Sequence, residues 1–247
     1  MRGWVPVTEL RSVPDLEPLS PRLRRSLSRL SAKAGPTSSV IIRDRWGRTL
    51  YAAGTRRPLV LASVTKIFTV GAALDRITTR RLVREILAPS NNAKAQALIE
   101  WVGRGSNGAG TRTAQKYAAE KGSLVNLADG SGLDPRNRAA AHEVVDYLQA
   151  MRTHARFRLF KRGLPVLGKT GTLGRRLSGS ATQGRAQAKT GTLFFPSTST
   201  LAGYIQPRRS KSGPNRELTF AMLMNGIPYL YGRSLQDQML QQLITRR

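Results

Sequence analysis

The chain has 247 residues, enough for one large domain or two small ones, and 41 Lys and Arg against 14 Asp and Glu give it a net charge of +27. Such a surface attracts polyanions, whether nucleic acid, anionic lipid or an anionic cell-wall polymer, and charge alone does not choose among them. The absence of Cys excludes disulfides and Cys-ligated zinc, and two His residues argue against a His-rich metal site. We therefore expect no metal and no cofactor.

The first residues do not have the pattern of a secretory leader. The segment from Met1 to Trp4 opens no apolar stretch of the kind that a signal peptide needs, and no apolar run elsewhere is long enough to span a membrane. These features predict either a cytoplasmic protein or one whose leader has been removed.

The N-terminal quarter predicts an arm, a helix and a hairpin. Residues 1–20 contain several prolines and are typical of an irregular arm, and Ser20 followed by Pro21 is a common helix start. Segments 37–43 and 49–53 are rich in β-forming residues and flank a polar turn, which predicts a β-hairpin.

The middle of the chain predicts mainly helices. The helix that carries Ser63 and Lys66 is expected to run to about Ile77, and Asn92 is a candidate cap for a later helix. Residues 78–87 are expected to form a short basic helix or a linker, and further helices are expected over residues 93–102, 111–121 and 139–152.

The C-terminal third predicts a loop over residues 163–184, then strands, then a closing helix over 234–245. The strands are expected over residues 186–194, 201–206 and 218–225. Short connections favour antiparallel pairing, and the N-terminal hairpin is expected to join the same sheet. The predicted class is α+β, with an antiparallel sheet of about five strands, helices on both faces and an all-helical subregion.

This order predicts an arm followed by one domain over residues 21–247. Its sheet comes from residues 37–53 and 186–225, and its helical region from residues 63–155.

Ser63 and Lys66 are the first candidate catalytic pair. Residues three apart lie on one face of a helix, so the hydroxyl and the amine would point at the same place. A Ser hydroxyl becomes a good nucleophile when a base takes its proton, and a Lys amine can be that base if burial lowers its pKa. The pattern alone is common, and an exposed Ser beside a solvated Lys is the alternative.

Two later motifs strengthen this interpretation because the three occur in the order known for acyl-serine enzymes. Ser90 could relay a proton to a leaving amine, Asn92 could hold a substrate amide, and Lys189 could face a substrate carboxylate and help to keep Lys66 neutral. The small Gly191 would let substrate lie along the strand edge. The candidate set is therefore Ser63, Lys66 and Ser90 as catalytic residues and Asn92, Lys189, Thr190, Gly191 and Thr192 as substrate-binding residues.

The last motif occurs twice. Residues 169–173 and 189–193 are both Lys-Thr-Gly-Thr-Leu. The second copy is the expected substrate-binding copy because an apolar strand follows it, whereas the first copy continues into a loop. Both copies could still line one cleft.

Together these motifs resemble the serine-type D-alanyl-D-alanine carboxypeptidases known as class C low-molecular-mass penicillin-binding proteins. The Asp-Gly-Ser-Gly-Leu turn at 129–133 and the doubled Lys-Thr-Gly-Thr-Leu are marks of that class. The resemblance implies a β-lactamase/transpeptidase-like fold and hydrolysis of a terminal D-Ala, or of D-amino-acid cross-links, in peptidoglycan stem peptides. It also implies acylation by β-lactams, and backbone N–H groups of Ser63 and Thr192 as an oxyanion hole.

The resemblance also bears on location and partners. Because that substrate lies outside the membrane, we expect an extracytoplasmic protein, in the periplasm or cell wall, whose leader peptide is not seen in this chain. The basic surface could dock on an anionic wall polymer or lipid, whereas nucleic acid is not the expected partner.

The chain departs from the family pattern at two places. Relatives carry large inserted domains between the Ser-x-x-Lys helix and the Ser-x-Asn turn, whereas here about two dozen residues separate Lys66 from Ser90. In relatives part of that insert walls the cleft, so substrate selectivity is open. Asn91 stands where relatives often have Asp, and little consequence is expected.

Two alternatives remain open from the sequence. One is a serine β-lactamase, against which we note that no Glu is evidently placed to activate a deacylating water. The other is a non-catalytic module that binds peptidoglycan or a polyanion. His142 and His154 are interpreted as surface or packing residues, and 129–133 as primarily a tight turn.

Overall fold

The computed structural model describes residues 19–77, 79–106, 108–208 and 217–245. Most of the expected N-terminal arm lies outside these residues, so that prediction is not addressed. The helices in the described part are α1 Pro21–Lys33, α2 Lys66–Ala73, α3 Arg80–Leu87, α4 Asn92–Val102, α5 Ala109–Glu120, α6 Ala141–Met151, α7 Phe157–Gly163 and α8 Tyr229–Thr245. The strands are β1 Ser38–Arg43, β2 Thr49–Gly54, β3 Leu59–Val60, β4 Val125–Asn126, β5 Arg138–Ala139, β6 Ala186–Leu193, β7 Thr198–Ile205 and β8 Leu218–Asn225.

Five of the strands form one antiparallel sheet in the order β2-β1-β8-β7-β6. The N-terminal hairpin therefore pairs with the last strand, as the sequence predicted. One row of paired residues crosses the sheet from Lys189 through Ala202 and Ala221 to Ile41. Ala202 and Ala221 pack into the core beneath the helical region, so Lys189 faces that side.

Helices cover both faces of this sheet. On one face, α1 and α8 bury residues such as Leu27 and Leu240 against it. On the other face, α2 lies at the centre of a larger core with Phe68, Tyr147 and Leu148 fully buried. This three-layer arrangement confirms the predicted α+β class, and it leaves the start of α2 next to the edge strand β6.

Several predicted boundaries were wrong for local reasons. The helix expected from Ser63 to Ile77 is instead a 3-10 turn, Ala62–Thr65, followed by an α-helix that ends at Ala73. Helix α7 lies almost entirely before the loop predicted for residues 163–184, and it was not predicted because its seven residues are too few to show a clear period. A small sheet of strands β3, β5 and β4 was also missed, because each strand has only two residues.

The cap of α4 was assigned to the wrong asparagine. Asn91 is the N-cap, and its side chain accepts a hydrogen bond from Lys94 N at 2.9 Å, whereas Asn92 is the first helical residue. Asn91 thus has a structural role that the sequence interpretation did not give it, and Asn92 is free to point into the cleft described next.

Candidate active site

Ser63 lies in the 3-10 turn that leads into α2. The preceding residue, Ala62, has a φ of 47°, a backbone conformation that is costly for a residue with a Cβ atom. Val64, Thr65 and Ile67 are fully buried around it, so the turn is held in place by the core. Strain of this kind, kept in place by packing, is typical of functional positions.

The Lys66 amine is the centre of a polar cluster. Its Nζ lies 2.9 Å from Ser63 Oγ and 2.7 Å from Asn92 Oδ1, and it also donates to the carbonyl oxygen of Ser131. The side chain is fully buried. Ser63 and Lys66 therefore meet as their spacing predicted, although a 3-10 turn rather than an α-helix brings them together.

Burial lowers the pKa of Lys66 to about 8, a shift that the negative charge of Asp129 partly opposes. About a tenth of the amine is therefore neutral at pH 7 and able to accept a proton, a far larger share than for an ordinary Lys side chain. Lys189 had been expected to keep Lys66 neutral, but desolvation is the main cause of the shift.

Lys189 and Ser90 form the second half of the site. The Lys189 Nζ donates to Ser90 Oγ and to Thr190 O, each at 2.8 Å. Ser90 has a φ of 62°, so it too is a strained non-glycine residue. Lys189 is fully buried, and burial together with the positive charge of Lys66 holds its pKa well below the usual value.

The edge strand β6 packs directly against the Ser63 turn. A Cβ atom added to Gly191 would lie 2.2 Å from Thr200 Oγ1 and 2.7 Å from the carbonyl oxygen of Leu61, so only glycine fits there. Thr192 Oγ1 accepts a hydrogen bond from Arg233 Nη2 at 3.2 Å. The structure thus brings the 3-10 turn, the Ser90–Asn92 turn and β6 together at one place, which we call the candidate cleft.

The first copy of the repeated motif also reaches this cleft. Thr172 Oγ1 lies 2.7 Å from Thr190 Oγ1, and Thr172 N donates to Ala88 O at 3.0 Å, two residues before Ser90. The segment at 169–173 therefore braces both the strand and the turn that carry candidate residues. Sequence reasoning had allowed for a shared cleft but not for this contact.

The turn at 129–133 contributes more than a chain reversal. Asp129 accepts hydrogen bonds from Gly132 N at 2.5 Å, Asp134 N at 2.9 Å and Asn137 Nδ2 at 2.9 Å, and Ser131 Oγ also donates to it. This network fixes the position of the Ser131 carbonyl oxygen, which accepts a hydrogen bond from the Lys66 amine. The buried Asn137 was missed because a lone Asn between Arg residues carries no sequence signal.

The two histidines lie away from these residues. His142 is near Glu143, and His154 is near Asp75. In the described segments, no group of three or more His, Asp or Glu residues could hold a metal ion. No described helix is both long and apolar enough to cross a bilayer.

The comparison with known proteins decides the family. Residues 79–245 match the D-Ala-D-Ala carboxypeptidase 3 (S13) family. The chain belongs to this family. The matched residues include Ser90, Asn92 and the second Lys-Thr-Gly-Thr-Leu, whereas Ser63 and Lys66 lie before them.

The S13 chain is similar to a D-alanyl-D-alanine carboxypeptidase of Actinomadura sp. (strain R39), with 35% identity over 161 residues. That alignment covers 58% of this chain and 28% of the carboxypeptidase, so the chain spans less than a third of its relative.

Two solved structures share the fold of the S13 chain. Penicillin binding protein 4 from Haemophilus influenzae has a TM-score of 0.57 at 22% identity, over 67% of this chain and 41% of that one. A β-lactamase from Chitinophaga pinensis has a TM-score of 0.70 at 13% identity, over 89% of this chain and 97% of that one. These likenesses confirm the predicted β-lactamase/transpeptidase-like fold.

Proposed function

We propose that this S13 protein is a penicillin-binding acyl-serine hydrolase that removes the terminal D-Ala from peptidoglycan stem peptides or cuts their D-amino-acid cross-links. The observation that carries the proposal is the Lys66 amine, buried, with its pKa lowered to about 8 and 2.9 Å from Ser63 Oγ. Family membership and the similarity to a D-alanyl-D-alanine carboxypeptidase support the same reaction. The Haemophilus structure that shares the fold is complexed with a β-lactam, which fits acylation by this class of inhibitor.

In the first step, neutral Lys66 takes the proton of Ser63 while Oγ attacks the carbonyl carbon of the scissile amide. The tetrahedral oxyanion is stabilised by backbone N–H groups of Ser63 and Thr192. The C–N bond then breaks as Lys66 returns the proton, through Ser90, to the leaving amine, so Lys66 is neutral again; Lys189 holds Ser90 at 2.8 Å. The product of this half-reaction is an ester on Ser63 and a free D-amino acid or peptide amine.

In the second step, water attacks the Ser63 ester and gives up a proton to Lys66. Lys66 passes this proton to Ser63 Oγ as the ester bond breaks, which releases the shortened peptide and restores the enzyme. Asn92 and the strand from Thr190 to Thr192 hold the substrate during both steps. Gly191 contributes indirectly, because its lack of a side chain lets β6 pack against the turn that carries Ser63. A substrate carboxylate that enters beside Lys189 raises the pKa of that amine, so Lys189 becomes protonated when substrate is bound.

We further propose that residues 21–247 act as one catalytic domain and that the protein works outside the cytoplasmic membrane, where its substrate lies. The five-stranded sheet supports the single domain because its strands come from both the N-terminal hairpin and the C-terminal third.

The β-lactamase alternative has less support. Rapid turnover of a penicilloyl ester needs a carboxylate free to activate water. Asp129, whose charge Lys66 senses, already accepts hydrogen bonds from four donors in the turn. We therefore expect a persistent acyl-enzyme with penicillin instead of rapid hydrolysis.

Release of D-Ala from a peptide ending in D-Ala-D-Ala tests the proposal. The wild type should release D-Ala, and Ser63→Ala should lower the rate by about 10⁴-fold or more. The exposed Ser178→Ala is the matched control and should keep the wild-type rate. Absence of D-Ala release and of penicillin labelling from the folded wild type, with salt-sensitive polyanion binding retained, would favour a non-catalytic module.

A further inference from the structure

A pocket of about 580 Å³ lies between α3 and α7, outside the candidate active site, and five arginines line it. Arg80 and Arg84 lie on α3, and Arg158 and Arg162 lie on α7. Arg156 immediately precedes α7. Each of the two helices contributes a pair four residues apart, so each pair lies on one helix face about 6 Å apart. The result is two facing rows of guanidinium groups.

None of these five cations has an acidic partner within the described residues. Arg156 differs from the other four in that its Nη1 donates to the backbone carbonyls of Leu74 and Ile77. Arg80, Arg84, Arg158 and Arg162 are exposed and form no ion pair there.

The acids that come near this region are engaged elsewhere. Glu85 lies on another face of α3 and pairs with Arg81 and Lys94. Glu217 pairs with Arg152 and Lys161. Asp75, two residues before Ile77 of the pocket wall, lies 3.2 Å from His154 Nε2. The sequence has no acidic residue between Asp146 and Glu217, so every charged side chain of α7 and of the loop after it is a Lys or an Arg. Like charges held together in this way repel one another, which an anionic ligand would relieve.

We propose that this arginine pocket binds a compact anion with several phosphates, as carried by a flexible phosphodiester or polyphosphate chain. Guanidinium groups match phosphate oxygens in pairs, and rows of two arginines can hold successive phosphates along a chain. Several cations without acidic partners in one small pocket are best neutralised by a ligand with high negative charge in a small volume. Phosphates have this charge density, whereas the carboxylates of a peptide are farther apart.

A flexible chain fits the pocket better than a bilayer surface does. Docking on a membrane combines basic residues with exposed apolar side chains that enter the interface. The most exposed aromatic residues, Phe194 and Phe195, follow the end of β6, whereas Val166 in the pocket wall bridges to Gln187 near its start, about 20 Å away along the strand. The exposed Trp101 lies closer, in a neighbouring pocket that shares Ile77 with this one, so the experiment below includes lipid vesicles.

Tripolyphosphate is a suitable probe, and its dissociation constant can be measured by titration calorimetry at about 0.15 M salt, where diffuse charge is screened. The pocket variant is Arg80→Gln with Arg84→Gln. Its matched control is Arg25→Gln with Arg29→Gln, an exposed pair with the same spacing on α1, which covers the opposite face of the sheet. Both variants remove two charges from a helix surface without touching a core.

The proposal predicts that the pocket variant weakens tripolyphosphate binding by about tenfold or more, whereas the α1 variant changes it by less than about twofold. Equal weakening by both variants would overturn the proposal in favour of diffuse charge. Binding to phosphatidylglycerol vesicles that depends on Arg80 and Arg84, without binding of tripolyphosphate, would overturn it in favour of a lipid surface. Unchanged circular dichroism and thermal unfolding of both variants show that the fold is intact, so the result is independent of the proposed enzymatic function.

Discussion

Lys66 and Lys189 are both fully buried, and this is unusual because an isolated buried ammonium is very costly. Each is surrounded by oxygen acceptors instead of a paired carboxylate: Ser63, Asn92 and Ser131 at one amine, Ser90 and Thr190 at the other. Burial lowers the pKa of both amines, while these acceptors keep the buried amines hydrogen-bonded.

The lowered pKa of Lys66 gives the first prediction. Only the deprotonated amine can accept the Ser63 proton, so the rate of acylation by penicillin should be low below pH 8, rise about tenfold per pH unit, and level off above a pKa of about 8. Stopped-flow measurement of acylation between about pH 6 and pH 10 checks this.

Lys66→Met, similar in length and without an amine, is the control for that profile. It should lose acylation at every pH while keeping its fold, as judged by circular dichroism. A wild-type rate that is flat across this range, or a Met variant that acylates normally, would show that another group is the base.

Thr172 gives a second prediction at the residue scale. Its hydroxyl lies 2.7 Å from that of Thr190, so Thr172→Val keeps the shape and removes one hydrogen bond. The second-order rate constant of penicillin acylation should fall by about two- to tenfold, which corresponds to the usual net contribution of one such bond.

Thr172→Ser restores the hydroxyl and should restore most of the rate. A Val variant as active as wild type, or a Ser variant as impaired as the Val variant, would argue against a positioning role for this contact.

At the scale of elements, the 129–133 turn supports the 3-10 turn that carries the nucleophile. Gly132 has a φ of 84°, and a Cβ atom there would lie 2.1 Å from the carbonyl oxygen of Ala62 and 3.0 Å from Cα of Ser63. The two turns are therefore in backbone contact. A side chain at position 132 could be accommodated only by moving Ser63.

Gly132→Ala tests this support, and Gly122→Ala is its matched control. Gly122 has a similar φ of 74°, but an added Cβ atom would meet nothing within 4 Å. Gly122→Ala should cost about 1–2 kcal/mol of unfolding free energy from backbone strain alone and leave acylation intact.

Gly132→Ala should cost more and should slow acylation by about a hundredfold, because a shift of about 1 Å misplaces the nucleophile. Urea unfolding and acylation rates measure the two effects. Equal behaviour of the two variants in both measurements would mean that the 129–133 turn does not position Ser63.

The elements that the sequence predicted well are those with a long period or a strong cap. Helix α1 begins at Pro21 with Ser20 as its N-cap, as predicted. Strand β8 covers Leu218–Asn225, which are the predicted bounds. The elements that were missed are short, such as α7 and the two-residue strands, and tertiary contacts rather than local preference stabilise them.

The candidate site divides in the same way. Part of the site could be predicted from reactive or hydrogen-bonding side chains at a recognisable spacing, namely Ser63, Lys66, Ser90, Asn92 and Lys189. Asn137, Thr172 and the carbonyl of Ser131 could not, since their contribution comes from where the folded backbone places them.

At the scale of the whole molecule, the sheet links distant parts of the chain. Strand β1 lies between β2 and β8, so residues near position 40 pair with residues near position 222. The candidate residues are similarly spread from position 63 to position 192. The fold must therefore be complete before the cleft exists, and no fragment that lacks the N-terminal hairpin or β8 contains the whole sheet.

The central claim is that Ser63 is a nucleophile activated by this convergence. Incubation of the folded chain with benzylpenicillin, followed by mass spectrometry of its proteolytic peptides, tests the claim most directly. We predict one penicilloyl adduct per chain, on the peptide that contains Ser63, and its loss in Ser63→Ala and in Lys66→Met. An adduct on another residue, or one that persists in Ser63→Ala, would contradict the account.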